Sequence, residues 1–241
     1  MNRVSFLRTD NNFLSSALKH PSATFLLFNN LAPLGKDVTQ LQYVSYDDVQ
    51  AFIGSNPYGK SEEETLSEYD SSVITPQLVF LGLNEGQETG FVWKTIYRGS
   101  PCFALDVTPR STLAPMASKL VEQLKARNLQ FLEGRMNTSL PAPDAAIYAQ
   151  ARALLDWNSR NPFCAGCGQP TLSINAGHKR TCPPKDRALL KGASVAGLTA
   201  SDSRANRPDC ASRRGVSNLS FPRVGSMHSD KFHNFTEKNT D

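Results

Sequence analysis

Cys164 and Cys167 stand two residues apart around Ala165 and Gly166, and Cys182 follows with fourteen residues between. A Cys-x2-Cys knuckle presents two sulfurs to one tetrahedral ion, and Gly168 stands where the backbone must turn away from it. The spacing is that of a zinc ribbon and implies a bound zinc ion with a structural role. The fourth ligand is expected soon after Cys182, yet the next cysteine is Cys210, with 27 residues between. Such a loop is tolerated, since each doubling of length costs only about 0.6 kcal/mol. Cys210 is therefore the expected fourth ligand. His178 is its rival, because imidazole also binds zinc; otherwise His178 reads as an exposed residue of a β-turn.

The remaining reactive side chains carry less. Cys102 lies in an apolar run and reads as a small buried residue without a partnering base. His20 precedes Pro21 and reads as a turn or strand-edge residue. Glu62, Glu63 and Glu64 are neighbours in an unperiodic stretch from Gly54 to Ser72, which reads as an exposed loop whose carboxylates do not converge on a metal. His228 and His233 lie in a polar end and are given no role.

The elements that must position the cysteines fall into an α+β pattern. Short apolar runs bounded by Gly, Pro, Asn or Asp predict strands at Thr24 to Asn29, Leu41 to Tyr46, Gln77 to Leu83, Phe91 to Tyr97 and Cys102 to Val107. Helices are predicted at Tyr46 to Ile53 with Ser45 as cap, at Ala114 to Leu132, and at Pro143 to Asn158. The last bears an apolar face of Tyr148, Ala151, Leu154, Leu155 and Trp157, and Asn161-Pro162 stops it just before the first cysteine. The expected architecture is an N-terminal mixed sheet with helices over 1–142, a linker helix and zinc ribbon over 143–223 with an insertion at about 183–208, and a disordered basic tail over 224–241.

Composition narrows the classes. The 241 residues carry a formal net charge of +4. Residues 1–178 hold 14 basic and 16 acidic side chains, whereas 179–241 hold 12 and 6, so the positive excess lies at the C-terminal end. That end offers RNA or another polyanion a Coulombic partner. No apolar run reaches the about 18 residues of a membrane span, and Met1 to Asp10 lacks the apolar centre of a secretory signal. Five cysteines grouped four to one fit a metal site in a reducing compartment better than a disulfide framework, and a cytoplasmic location is expected.

The run AQARALLDWNSRNPFCAGCGQPT from Ala149 to Thr171, then GHKRTC from Gly177 to Cys182, resembles the linker helix and zinc ribbon of the NADH pyrophosphatase subfamily of Nudix hydrolases. Ala151, Leu154, Trp157, Phe163, Cys164, Cys167 and Gly168 carry the match, with Gly177 and Arg180 before the third cysteine. His20 to Leu34, QLVFLGL and FALDV resemble strands of that family's N-terminal domain. The resemblance implies an enzyme family that splits NAD(H) at its diphosphate into AMP and nicotinamide mononucleotide, and removes NAD caps from RNA. It also implies a homodimer, and cytosolic, peroxisomal or mitochondrial members.

In that family a glutamate-rich Nudix box after the ribbon holds Mg2+ or Mn2+ on the diphosphate. Here the only glutamate beyond Glu133 is Glu237, and no Arg-Glu pair occurs. The family's approach to its catalytic domain is matched by Phe221-Pro222-Arg223, after which Val224-Gly225-Ser226 departs from the pattern. The expectation is a truncated or alternatively spliced member that keeps the zinc-binding and dimerisation part, has no catalytic residues, and is inactive alone. The competing expectation is a zinc-ribbon module that holds RNA through Arg204, Arg207, Arg213 and Arg214.

Overall fold

Strand β1 (Thr24–Asn29) reads TFLLFN, and its four central residues are buried. Because side chains alternate across a strand, Phe25 and Leu27 enter one apolar cluster while Leu26 and Phe28 enter another. The same division runs through β7 (Tyr97–Asp106), with Phe103 and Leu105 opposite in sense to Cys102 and Ala104. It continues through β5 (Gln77–Asn84), where Leu78 and Phe80 part from Val79 and Leu81. A sheet that is apolar on both faces requires a cover on both.

The computed structural model describes residues 1–85, 90–132 and 140–188. On the first face lie α1 (Asn11–Lys19), α2 (Tyr46–Ile53) and α4 (Ala114–Ala126), which bury Phe13, Leu18, Phe52 and Leu120. The second face is covered by α5 (Ala142–Arg160) through Tyr148, Ala151, Leu154 and Leu155. Two helices start on side-chain caps that satisfy otherwise orphaned amides. Asp10 accepts from the Asn12 and Phe13 amides at 3.1 Å, and Ser45 and Asp48 form a capping box for α2.

The sheet is mixed, as expected. Its order is β3-β2-β1-β7-β5, with β2 at Ala32–Asp37, β3 at Gln40–Leu41 and β4 (Tyr43–Val44) beside β1. Strands β6 (Phe91–Trp93) and β8 (Gln130–Phe131) pair with β7 and β2. β1 and β7 run parallel with Phe25 opposite Phe103, and those two rings stack at 5.2 Å. The other pairings are antiparallel. No helix among the described residues is long and apolar enough to cross a membrane.

Strand β5 ends the sheet, and its edge is covered from two directions. Asn2 exchanges two backbone hydrogen bonds of 2.8 Å with Leu83. This approach demands Gly82, since a Cβ there would lie 2.4 Å from the Asn2 carbonyl oxygen. Farther along, the Phe80 amide donates to the Ala176 carbonyl at 3.0 Å. The second cover belongs to the metal-binding segment.

Several boundaries differ from the sequence reading. The stretch from Gly54 to Ser72 is not all loop: α3 (Glu62–Ser67) forms within it on a Ser61/Glu64 capping box. The helix expected to reach Leu132 stops at Ala126, and Gln130–Phe131 joins the sheet instead. Leu41 to Tyr46 divides into β3, β4 and the start of α2. Phe91 to Tyr97 is a hairpin turning at Lys94 and Thr95, both with left-handed φ, of 48° and 62°. Residues 189–241, and with them most of the expected insertion and the basic tail, lie outside the described residues.

Candidate metal centre

Helix α5 runs out at Arg160, and Asn161-Pro162 delivers the chain to the first knuckle. There the Gly168 amide donates to the Cys164 carbonyl at 2.7 Å, and the Cys164 amide to the Gln169 carbonyl at 2.8 Å. Gly168 makes the turn with φ +69°. A hairpin follows, β9 (Leu172–Ile174) antiparallel to β10 (Lys179–Thr181), and it returns the chain to the knuckle. Cys182 Sγ thereby comes to 3.4 Å from Cys167 Sγ.

The sulfurs of Cys164, Cys167 and Cys182 all lie within 4.8 Å of one another. Zinc held at about 2.3 Å from each thiolate spaces its sulfurs about 3.8 Å apart, so the donor set fits a tetrahedral zinc ion in both chemistry and spacing. The ion would supply a cross-link between knuckle and hairpin, and its charge would hold the thiols deprotonated. Cys210, the expected fourth ligand, lies outside the described residues, as do His228 and His233.

Asn158 ties this segment to the rest. It is 2% exposed on the last turn of α5. Its amide nitrogen donates to the Gly177 carbonyl at 2.8 Å, and its amide oxygen accepts from Ser173 Oγ at 3.1 Å and from the Arg180 guanidinium at 3.2 Å. Arg180 also donates to Thr171 Oγ1 at 2.7 Å and to the Thr171 carbonyl at 2.8 Å, which links β10 to the knuckle. Burial draws the Arg180 pKa below its ordinary value, so these acceptors are what hold the charge in place. A polar asparagine on an otherwise apolar helix face was the one available sign of this role.

The hairpin tip is built from three consecutive left-handed residues, Asn175, Ala176 and Gly177, with φ of 52°, 51° and 87°. It seats on β5. A Cβ on Gly177 would lie 2.6 Å from Val79 Cγ2. His178 is not an exposed turn residue, and it is not part of the sulfur cluster. Its Nε2 donates to the Phe80 carbonyl at 2.7 Å. Burial, with Arg8 and Arg3 nearby, pushes its pKa down to about 4, so it is a neutral docking group at neutral pH.

The other sequence candidates are placed as follows. Cys102 is buried beneath α5, and burial pushes its thiol up to about 12. His20 ends α1, with Nδ1 at 2.7 Å from Ser22 Oγ. Glu62 pairs with Lys179 of β10 at 3.5 Å, and Glu64 caps α3, so these carboxylates bind the 54–72 stretch to the hairpin and to its own helix. Beyond Cys182, the buried Asp186 accepts from the Ser71 amide at 3.0 Å, and the Arg187 amide donates to the Tyr69 carbonyl at 2.9 Å.

The profile of the NADH pyrophosphatase-like rudimentary NUDIX domain matches residues 22–157, more than half of the chain. The chain belongs to the NADH pyrophosphatase-like family. A second profile, the NADH pyrophosphatase zinc ribbon domain, matches residues 159–188 and takes in all three clustered cysteines. Among the family's curated proteins, the chain is 31% identical over 198 residues to the NAD-capped RNA hydrolase NPY1 of Saccharomyces cerevisiae, covering 78% of this chain and 50% of that protein. It is 27% identical over 230 residues to the NAD-capped RNA hydrolase of Schizosaccharomyces pombe, covering 93% of this chain and 54% of the other. With the human NAD-capped RNA hydrolase NUDT12 it shares 28% over 242 residues, 93% of this chain and 42% of the relative. The chain thus spans about half the length of the curated relatives it matches.

Proposed function

We propose that residues 1–241 supply the N-terminal scaffold and zinc ribbon of an NADH pyrophosphatase-like protein, and that this polypeptide by itself does not hydrolyse NAD(H) or NAD caps on RNA. In this reading Cys164, Cys167, Cys182 and Cys210 hold one structural zinc ion. The three-sulfur cluster inside the matched ribbon is the observation that supports it. The division into 1–142, 143–223 and 224–241 belongs to the same proposal, with α5 as the shared element. Its N-terminal part packs on the sheet, and Asn158 at its end holds the hairpin.

The inactivity rests on chemistry. Hydrolysis of a diphosphate requires carboxylates grouped to hold Mg2+ or Mn2+ on the phosphates. After Asp186 the sequence supplies only Asp202, Asp209, Asp230, Glu237 and Asp241, which share no short helical spacing. Zinc at four thiolates leaves no open coordination position for water or substrate. A homodimer in the cytoplasm completes the proposal, on the resemblance alone.

The test is direct. Purified, reduced protein is incubated with NADH and Mg2+ or Mn2+, and AMP is followed by chromatography. The expected result is one zinc per chain and no AMP above the blank. AMP release that co-purifies with the protein and is lost on its removal by antibody refutes the proposed inactivity.

A further inference from the structure

A cavity of about 520 Å3 lies between the N-terminal residues, the 57–62 segment and the tip of the ribbon hairpin. Arg8 and Tyr58 both line it. Arg8 Nε and the Tyr58 hydroxyl are each shut away from solvent with no hydrogen-bond partner. Among the described residues the ion pairs involve other cations, and Arg8 has none. Burial and the like charge of Arg3 lower the Arg8 pKa to about 10, which leaves it a cation at neutral pH.

Buried polar groups in native proteins are paired in the great majority of cases, and an orphan calls for a specific explanation. Here two orphans, both donors, face one cavity. The charged neighbours do not serve them: Asp10 caps α1, Glu62 pairs with Lys179, and Lys60 pairs with Glu68. The unmet demand is therefore for an acceptor-rich anion. A phosphate group presents several oxygens in different directions, enough to meet a guanidinium and a phenol together. Leu14, Ile53 and Leu78 give the same cavity an apolar wall, and its size suits a small organic molecule.

We propose that this cavity is a binding site for a small organic phosphate, with Arg8 holding the phosphate charge and the Tyr58 hydroxyl donating to one of its oxygens. The site is separate from the zinc centre and independent of the reading given above for the whole chain.

Calorimetric titration of the full, zinc-loaded chain with AMP tests it, with adenosine and inorganic phosphate as companion probes. Saturable AMP binding is expected, with adenosine about tenfold weaker or more and inorganic phosphate competing. Arg8→Gln should weaken AMP about tenfold and Tyr58→Phe about threefold or more, at unchanged zinc content. Arg8→Lys, which keeps the charge but not the fork, should fall between. Absence of saturable binding overturns the proposal, as does equal affinity in Tyr58→Phe and Arg8→Lys.

Discussion

The Asn158 side-chain amide donates a 2.8 Å hydrogen bond to the Gly177 carbonyl, and so fastens the last turn of α5 to the tip of the metal-binding hairpin. Replacing it with leucine removes that donor and leaves Ser173 and Arg180 facing an apolar group. Buried partners stranded in this way cost about 1 to 3 kcal/mol each, so Asn158→Leu is expected to lower stability by about 2 to 4 kcal/mol in urea unfolding with little change in slope. A loss below about 0.5 kcal/mol, as for an ordinary surface change, contradicts the role assigned to this residue.

Metal content gives a second check. Cys164→Ser, Cys167→Ser and Cys182→Ser should each reduce zinc well below one ion per chain, because hydroxyl is a poor substitute for thiolate on this metal. Cys210→Ser should do the same. Zinc measured by mass spectrometry on reduced protein decides it, and full stoichiometry in Cys210→Ser points to another fourth ligand.

Thiol chemistry separates Cys102 from the ribbon. It is 2% exposed and its thiol is pushed up to about 12, so the nucleophilic thiolate is absent at neutral pH. A chelator should open the ribbon cysteines to an aromatic disulfide reagent while Cys102 reacts only after unfolding. Labelling of Cys102 in the folded, chelated protein runs against its burial.

His178 makes stability depend on pH. Its folded pKa of about 4 is below the ordinary histidine value, so the unfolded chain takes up protons first as pH falls. The contribution is complete above about pH 6.5 and is lost progressively toward pH 4, amounting to roughly 2 kcal/mol between pH 7 and pH 5. His178→Gln keeps a donor for the Phe80 carbonyl and removes this slope. The comparison between the two proteins cancels the acid sensitivity of the zinc thiolates, and identical slopes count against the imidazole.

Gly177→Ala tests the seat on β5. The added Cβ meets Val79 Cγ2 at 2.6 Å and the residue is held at φ +87°, so a loss of about 2 kcal/mol or more is expected. Gly166→Ala is the control: its Cβ lies 3.8 Å from Cys164 Sγ, an ordinary contact, and the change should be near neutral.

The parts legible in the sequence are those where local signals agree with the final environment. TFLLFN and QLVFLGL are apolar throughout because both faces of β1 and β5 are covered, and the cysteine spacing with Asn161-Pro162 marks the ribbon and the end of α5. Strand β2 was missed because Pro33 and Gly35 interrupt it. Gly35 is there for a tertiary reason, since a Cβ would fall 2.1 Å from Leu132 Cδ1. Helix α1 had a readable signal, Asp10 ahead of Phe13, Leu14, Ala17 and Leu18 at helical spacing, that went unused. At the site, the cysteines were visible from spacing, whereas the docking of His178 depends on a strand almost a hundred residues away (|i−j| = 98) and leaves no local trace.

The order of strands also governs how the polypeptide emerges from the ribosome. β7 lies between β1 and β5, so Thr24 waits for Cys102 before the parallel pair can close. Until then a nascent chain holds two halves of a sheet with greasy faces and no middle, the long-range closure that slows folding and invites chaperones. Release of the chain before residue 106 would therefore give a product without a core, while the ribbon, which seats on β5, has its platform finished before it is made.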